Sequence, residues 1–181
     1  MVEVWKEFES NELTHSMAHY LMAVRELIAE QGYSRVTDVA RKLNIARSSA
    51  SIALHTLIDK GFIKEDTNRF IRLSDKGKRL ADEIIGKKVV LRRFLVDILH
   101  VKAHQAEVDT CKIEHLISSE TGAKLLSFLK FMTSDSELVQ RAMKAFWGHR
   151  EVCDGVGKCP VCFNTCLKEM MPIEFPKRAL G

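Results

Sequence analysis

The stretch "RVTDVARKLNIARSSASIALHTLIDKGFIKEDTNRFIRLS", residues 35–74, is compatible with few folds. Val39, Ala40 and Leu43 have the spacing of one short helix. A tight turn at "NIARSS" follows, and Ala50, Leu54, Leu57 and Ile58 form the inner stripe of a second helix. Gly61 closes it, and "FIKEDTNRFIRLS" predicts two short strands around a polar turn at Thr67–Arg69. Upstream, Met17, Tyr20, Leu21, Val24, Leu27 and Ile28 mark a helix that ends near Gly32, a residue suited to a left-handed helix stop. Helix, turn, helix and β-ribbon in this order specify a winged helix-turn-helix.

The second helix of that unit opens with Arg47, Ser48, Ser49 and Ser51. Small hydroxyls and free backbone N–H groups at a helix start suit phosphates and base edges, and the helix dipole favours the anion. Ser48 or Ser49 acting only as a helix cap is the competing reading. The ribbon carries Lys64, Arg69 and Arg72, cations able to straddle a phosphate backbone, and this favours DNA contact. A net charge of +4 and a pI near 8.8 permit a nucleic-acid partner without requiring one. Winged helices also dock proteins, so the fold alone does not decide.

"LSDKGKRLADEIIGKKVVLRRFLVDIL" begins with a cap at Ser74 and runs on as a long helix with Leu80, Ile84, Leu91, Phe94, Leu95 and Ile98 apolar. Such a helix packs against more than one partner, and a subunit interface is the economical assignment. In the following "EVDTCKIEH", Glu107, Cys111, Glu114 and His115 stand at i, i+4, i+7 and i+8, on one side of a helix. Thiolate, carboxylate and imidazole together suit a transition-metal ion, and Fe(II), Mn(II) and Zn(II) all fit. A solvated polar face with a buried cysteine is the alternative. On the first helix His15, His19 and Met22 lie opposite the main apolar stripe, on a face that could meet the second domain and add a ligand; histidines simply exposed on a surface helix are the alternative.

The order winged helix, long linking helix, then C-x-x-E-H resembles the diphtheria toxin repressor family of iron- and manganese-dependent regulators. "EQGYSRVTDVARKL" looks like the manganese-regulator branch, and the resemblance covers residues 15–145. It implies a metal-responsive transcriptional repressor, a homodimer that binds a palindromic operator in double-stranded DNA when a divalent metal, Fe(II) or Mn(II), fills an interdomain site. By position Cys111, Glu114 and His115 match the family's metal-binding run. His19 takes the place of a methionine or aspartate on the first helix. Where the family supplies a histidine and often an acid on the long helix, this sequence has Lys88 and Arg92. Cations there oppose a divalent metal and are free to pair with Glu107 or Glu114, so one family metal position is expected to be lost. The third domain of the larger members is not expected in this sequence.

Near the C-terminus, "CDGVGKCPVCFNTC" places Cys153, Cys159, Cys162 and Cys166 in a C-x5-C-x2-C-x3-C run. Structural zinc usually takes two C-x2-C pairs, of which only Cys159–Cys162 is present. A compact run with Gly155, Gly157 and Pro160 also suits an iron–sulfur cluster, and a thiol–disulfide switch would need only two of the thiols. The expectation is an iron–sulfur cluster or Zn on these four cysteines.

The fold class is thus mainly α. It comprises a winged helix-turn-helix DNA-binding domain (1–75), an all-helical dimerisation and metal-sensing domain (76–148) and a short cysteine-rich metal-binding tail (149–181). DNA contacts are assigned to Arg47, Ser48, Ser49, Ser51 and Arg69. Two rival functions stay open: a regulator that senses an iron–sulfur cluster through the tail, and a redox or cluster-handling protein that uses its winged helix for protein contacts. No nucleophile–base pair, phosphate-cradling loop or paired catalytic carboxylates point to an enzyme. "MVEVWKEFESNELTHS" lacks the apolar core of a signal peptide, and no run is long enough to span a bilayer. An odd count of five cysteines without an export signal places the chain in the reducing cytoplasm.

Overall fold

The computed structural model describes residues 13–149. They fall into two compact units, the first ending at Val139 and the second beginning at Gln140.

Helix α1 (His15–Gln31) starts where the Thr14 hydroxyl accepts the Met17 N–H at 3.3 Å, and stops at Gly32, whose φ of 83° only a residue without Cβ adopts at little cost. Short helices α2 (Val36–Leu43) and α3 (Arg47–Asp59) follow, joined through Asn44 in the left-handed conformation, which asparagine tolerates. Val39, Leu54 and Leu57 join Leu21, Val24 and Leu27 of α1 in one core, and Ala40 and Ala50 are also buried. Strands β1 (Ile63–Glu65) and β2 (Ile71–Leu73) pair antiparallel with Ile63 opposite Leu73, and Phe62, Ile63 and Ile71 complete the core. The expected winged helix-turn-helix is the observed one. Met22, opposite the main apolar stripe of the first helix, is also buried in this core, because α1 is covered on more than one face.

Ser74 couples the wing to the next helix. Its hydroxyl accepts the Gly77 N–H at 3.0 Å and lies 2.7 Å from the Gly61 carbonyl oxygen, so a single side chain caps α4 (Asp75–Arg93) and holds the wing base. Gly77 packs against the Phe62 backbone, leaving no room for a Cβ. The long helix does not stay α-helical to its end. It widens into a π-helical turn at Phe94–Ile98, which leaves Phe94 and Leu95 half-buried and puts Ile98 inside. Helices α5 (Ala103–Ile113), α6 (Ser119–Met132) and α7 (Glu137–Gly148) complete the described residues.

Helix α4 is the central strut, packed on α1, α5 and α6. Arg25 of α1 reaches Asp82 at 2.7 Å, and Lys87 donates to the Ile117 carbonyl at 2.8 Å. No described helix is long and apolar enough to cross a membrane. Cys153, Cys159, Cys162 and Cys166 lie outside the described residues.

Candidate metal centre and DNA-reading face

The first turns of α1 and the end of α5 bring together residues almost a hundred positions apart. His19 Nε2 stands 3.2 Å from Cys111 Sγ. One turn earlier on α1, His15 Nε2 stands 3.2 Å from His19 Nε2, and donor atoms of His15, His19 and Cys111 all lie within 4.8 Å of one another. The His15 ring is also 4.7 Å from that of His115. Helix α5 ends at Ile113, so Glu114 and His115 follow in the turn rather than on the helix itself. Glu114 is 1% exposed, and neither of its carboxylate oxygens has a hydrogen-bond partner; His115 Nδ1 is equally unpartnered.

Buried polar atoms are normally satisfied, so these orphans call for a partner of another kind. Burial pushes the Glu114 carboxyl up to about 7, against the pull of Lys88. Burial, with neighbouring His15 and Lys88, lowers His19; burial, with His15 and His19, lowers His115. Both imidazoles are therefore held toward the neutral form that ligates metals. Burial and Glu114 raise the Cys111 thiol, partly countered by Lys88. In the absence of a positive ion the pocket disfavours its own anions, and a divalent cation would reverse that preference. The residues fit a metal.

The long helix supplies no ligand here. Lys88 Nζ lies 3.0 Å from one Glu107 oxygen and Arg92 Nε 3.1 Å from the other. Hydrogen bonding to Lys88, then the charges of Lys88 and Arg92, hold Glu107 below the usual carboxylate range although burial opposes this. The expected pairing of these cations with an α5 acid is thus realised at Glu107. Of the expected ligand set, His19 and Cys111 touch, while Glu114 and His115 flank them. His15 joins as a residue outside that set, and its i, i+4 spacing from His19 was the signal for it.

On the DNA-reading side, Arg47, Ser48 and Ser49 are exposed at the start of α3, and Ser51 is half-buried. Ala46, not a serine, occupies the cap position, so neither Ser48 nor Ser49 is used as the cap. Ile52 is 71% exposed one turn further on, an apolar residue outside the inner stripe that the sequence pattern passes over. At the wing tip Arg69 adopts φ 64°, in a turn whose Asp66 carboxylate accepts the N–H groups of Asn68 and Phe70. Arg69 is paired loosely with Glu65 at 3.5 Å and Arg72 with Asp66 at 3.3 Å, so wing acids partly offset the wing cations.

Residues 12–69 match the model of the iron dependent repressor N-terminal DNA binding domain, and residues 74–141 that of the iron dependent repressor metal binding and dimerisation domain. The chain belongs to the iron-dependent repressor family. It is a metal-responsive, DNA-binding transcriptional regulator of the diphtheria toxin repressor type, and its partners are double-stranded DNA and a second copy of itself. The HTH-type transcriptional regulator MntR of Lysinibacillus sphaericus is 26% identical over 128 residues, covering 71% of this chain and 91% of that one. The metal-dependent transcriptional regulator MtsR superposes with a TM-score of 0.59 at 23% identity, over 66% of this chain and 55% of that one. SSo2273 from Sulfolobus solfataricus gives a TM-score of 0.53 at 22% identity, over 65% and 89% respectively. These structural likenesses are likenesses of fold.

Proposed function

We propose that a divalent metal held by His19, Cys111, Glu114 and His115 controls how this regulator engages DNA. A bound ion supplies positive charge to a pocket whose carboxylate and thiol are otherwise offset only in part, by Lys88. What carries the reading is the 3.2 Å approach of His19 to Cys111 across 92 positions, beside a Glu114 carboxylate with no other partner. Joining α1 of the DNA reader to the end of α5 fixes one part against the other, which biases a pre-existing equilibrium toward the arrangement competent for DNA. By resemblance the ion is Fe(II) or Mn(II) and loading represses transcription.

In this reading residues 1–75 form the DNA-binding domain, 76–148 the dimerisation and metal-sensing domain and 149–181 a separate tail. Arg47, Ser48, Ser49 and Ser51 face the major groove, Ile52 meets a thymine methyl, and Arg69 touches phosphate. Paired α3 helices of a symmetric dimer account for a palindromic operator. Exposed apolar residues that a second copy would cover include Val89, Leu99, Phe128 and Phe131, each 42–57% exposed. Four thiols in fourteen residues support a second metal, zinc or an iron–sulfur cluster, on Cys153, Cys159, Cys162 and Cys166.

The test is a gel shift across a metal titration, with DNA selected from a random pool by the metal-loaded protein. The wild type binds weakly without metal and tightly with it, whereas Cys111→Ala and His115→Ala lose most of that dependence. Full metal dependence in both variants would move the sensor elsewhere.

A further inference from the structure

His15 is not among the ligands assigned above, yet it is placed as one. It stands at i, i+4 from His19, the spacing by which two histidines on one helix face share an ion. The distances between its Nε2 and that of His19, and between the latter and Cys111 Sγ, are both 3.2 Å. Ligands of one tetrahedral ion with metal–nitrogen bonds of about 2.0–2.1 Å and a metal–sulfur bond of about 2.3 Å stand roughly 3.3–3.6 Å apart. Two of the three edges therefore need only slight widening to span such an ion, and the third, His15 to Cys111, lies within 4.8 Å. Among the described residues, no carboxylate oxygen shares the 4.8 Å sphere that holds the donor atoms of His15, His19 and Cys111. His15 is exposed, which leaves the trio open to solvent for entry of an ion.

We infer that His15 ligates metal together with His19 and Cys111, and that this nitrogen–sulfur trio selects zinc-class ions over manganese. The inference rests on the reading that the body cluster is the metal site, and it replaces the Fe(II) or Mn(II) that the resemblance implies with a zinc-class ion. Two imidazoles and a thiolate suit Zn(II) and Co(II), whereas Mn(II) prefers oxygen donors and sits lowest in the divalent affinity series. Glu114 is the oxygen donor at the flank, and it or His115 supplies the fourth ligand. Replacing any nitrogen of the trio by an oxygen donor shifts the balance back toward manganese.

The experiment uses the full chain, loaded with Zn(II), Co(II) or Mn(II) against competing chelators, for wild type, His15→Gln, His15→Asp and Cys111→Ser. Co(II) loading is read as the difference spectrum between wild type and Cys111→Ser, which subtracts any contribution of the tail thiols. The expected results are a thiolate-to-cobalt band in that difference spectrum and a roughly tenfold or larger loss of Zn(II) affinity in His15→Gln. Mn(II) affinity in that variant should stay within about twofold, and His15→Asp should narrow the zinc-to-manganese ratio. Zn(II) affinity unchanged in His15→Gln while Cys111→Ser abolishes body-site binding overturns the role of His15 and leaves the site itself intact. If Cys111→Ser also leaves every affinity and the Co(II) spectrum unchanged, the body cluster is not a metal site and both readings fall.

Discussion

Lys88 on α4 lies 3.0 Å from Glu107 on α5, and Arg92 takes the other oxygen of the same carboxylate at 3.1 Å. Two cations thus share one acid beside the candidate metal centre, where the family has a metal position that this sequence was expected to have lost. The ammonium is near enough to Glu114 and Cys111 to shift both. Replacing Lys88 by Met removes a charge that repels a divalent ion, so metal affinity at the His19–Cys111 site should rise roughly three- to tenfold, read by competition titration. Lower affinity would mean that Lys88 supports the site. The ion pairs are half-exposed, so Glu107→Gln should change folding stability by no more than about 1 kcal/mol.

Glu114 is buried with no partner, so its negative charge destabilises the protein when no metal is bound. At pH 8 the metal-free Glu114→Gln variant should therefore unfold later than metal-free wild type, by about 1–3 kcal/mol in denaturant titrations. With metal present the order should reverse, because the variant gives up a charged ligand. A variant less stable than wild type in both conditions would show that the carboxylate has a structural partner instead.

Gly77 sets the junction of the wing and α4. Any Cβ at this position meets the Phe62 carbonyl, which is backbone and cannot swing aside. Gly77→Ala should cost roughly 1–3 kcal/mol in folding stability and weaken DNA binding in proportion to unfolding, measured by calorimetry and anisotropy together. Gly86→Ala, where a Cβ meets nothing within 4 Å, is the control and should be neutral or slightly stabilising.

The two elements proposed to face DNA should behave differently. Ile52→Ala should relax preference at a thymine by about 1–3 kcal/mol while leaving the salt dependence of binding unchanged. Arg69→Ala should weaken binding to all sequences alike and reduce the salt slope by about one. A wing substitution that altered sequence preference would place the wing in a groove rather than on phosphate.

The N-terminal half was legible because its elements are short, local and punctuated. Gly32, Asn44, Gly61 and Ser74 stop or cap helices where their side chains, or lack of one, require it. The apolar stripe of α3 likewise follows from spacing alone. Three features did not. The π-helical turn at Phe94–Ile98 keeps the composition of a helix and changes only its hydrogen bonding. Met22 sits inside because α1 is covered on more than one face, a tertiary fact no periodicity carries. His15 was visible as a histidine one turn from His19, but its place beside Cys111 depends on how α1 and α5 meet. The C-x-x-E-H run marked the candidate site, whereas the orphaned state of Glu114 needed the fold.

The most direct measurement is DNA affinity of the full chain, with and without metal, in two variants side by side. One carries Cys111→Ala; the other replaces Cys153, Cys159, Cys162 and Cys166 by serine. With the body cluster as sensor, Cys111→Ala loses the metal dependence of DNA binding and the four-serine variant keeps it. The reverse pattern, dependence kept without Cys111 and lost with the tail thiols, would contradict this and make the tail the sensor.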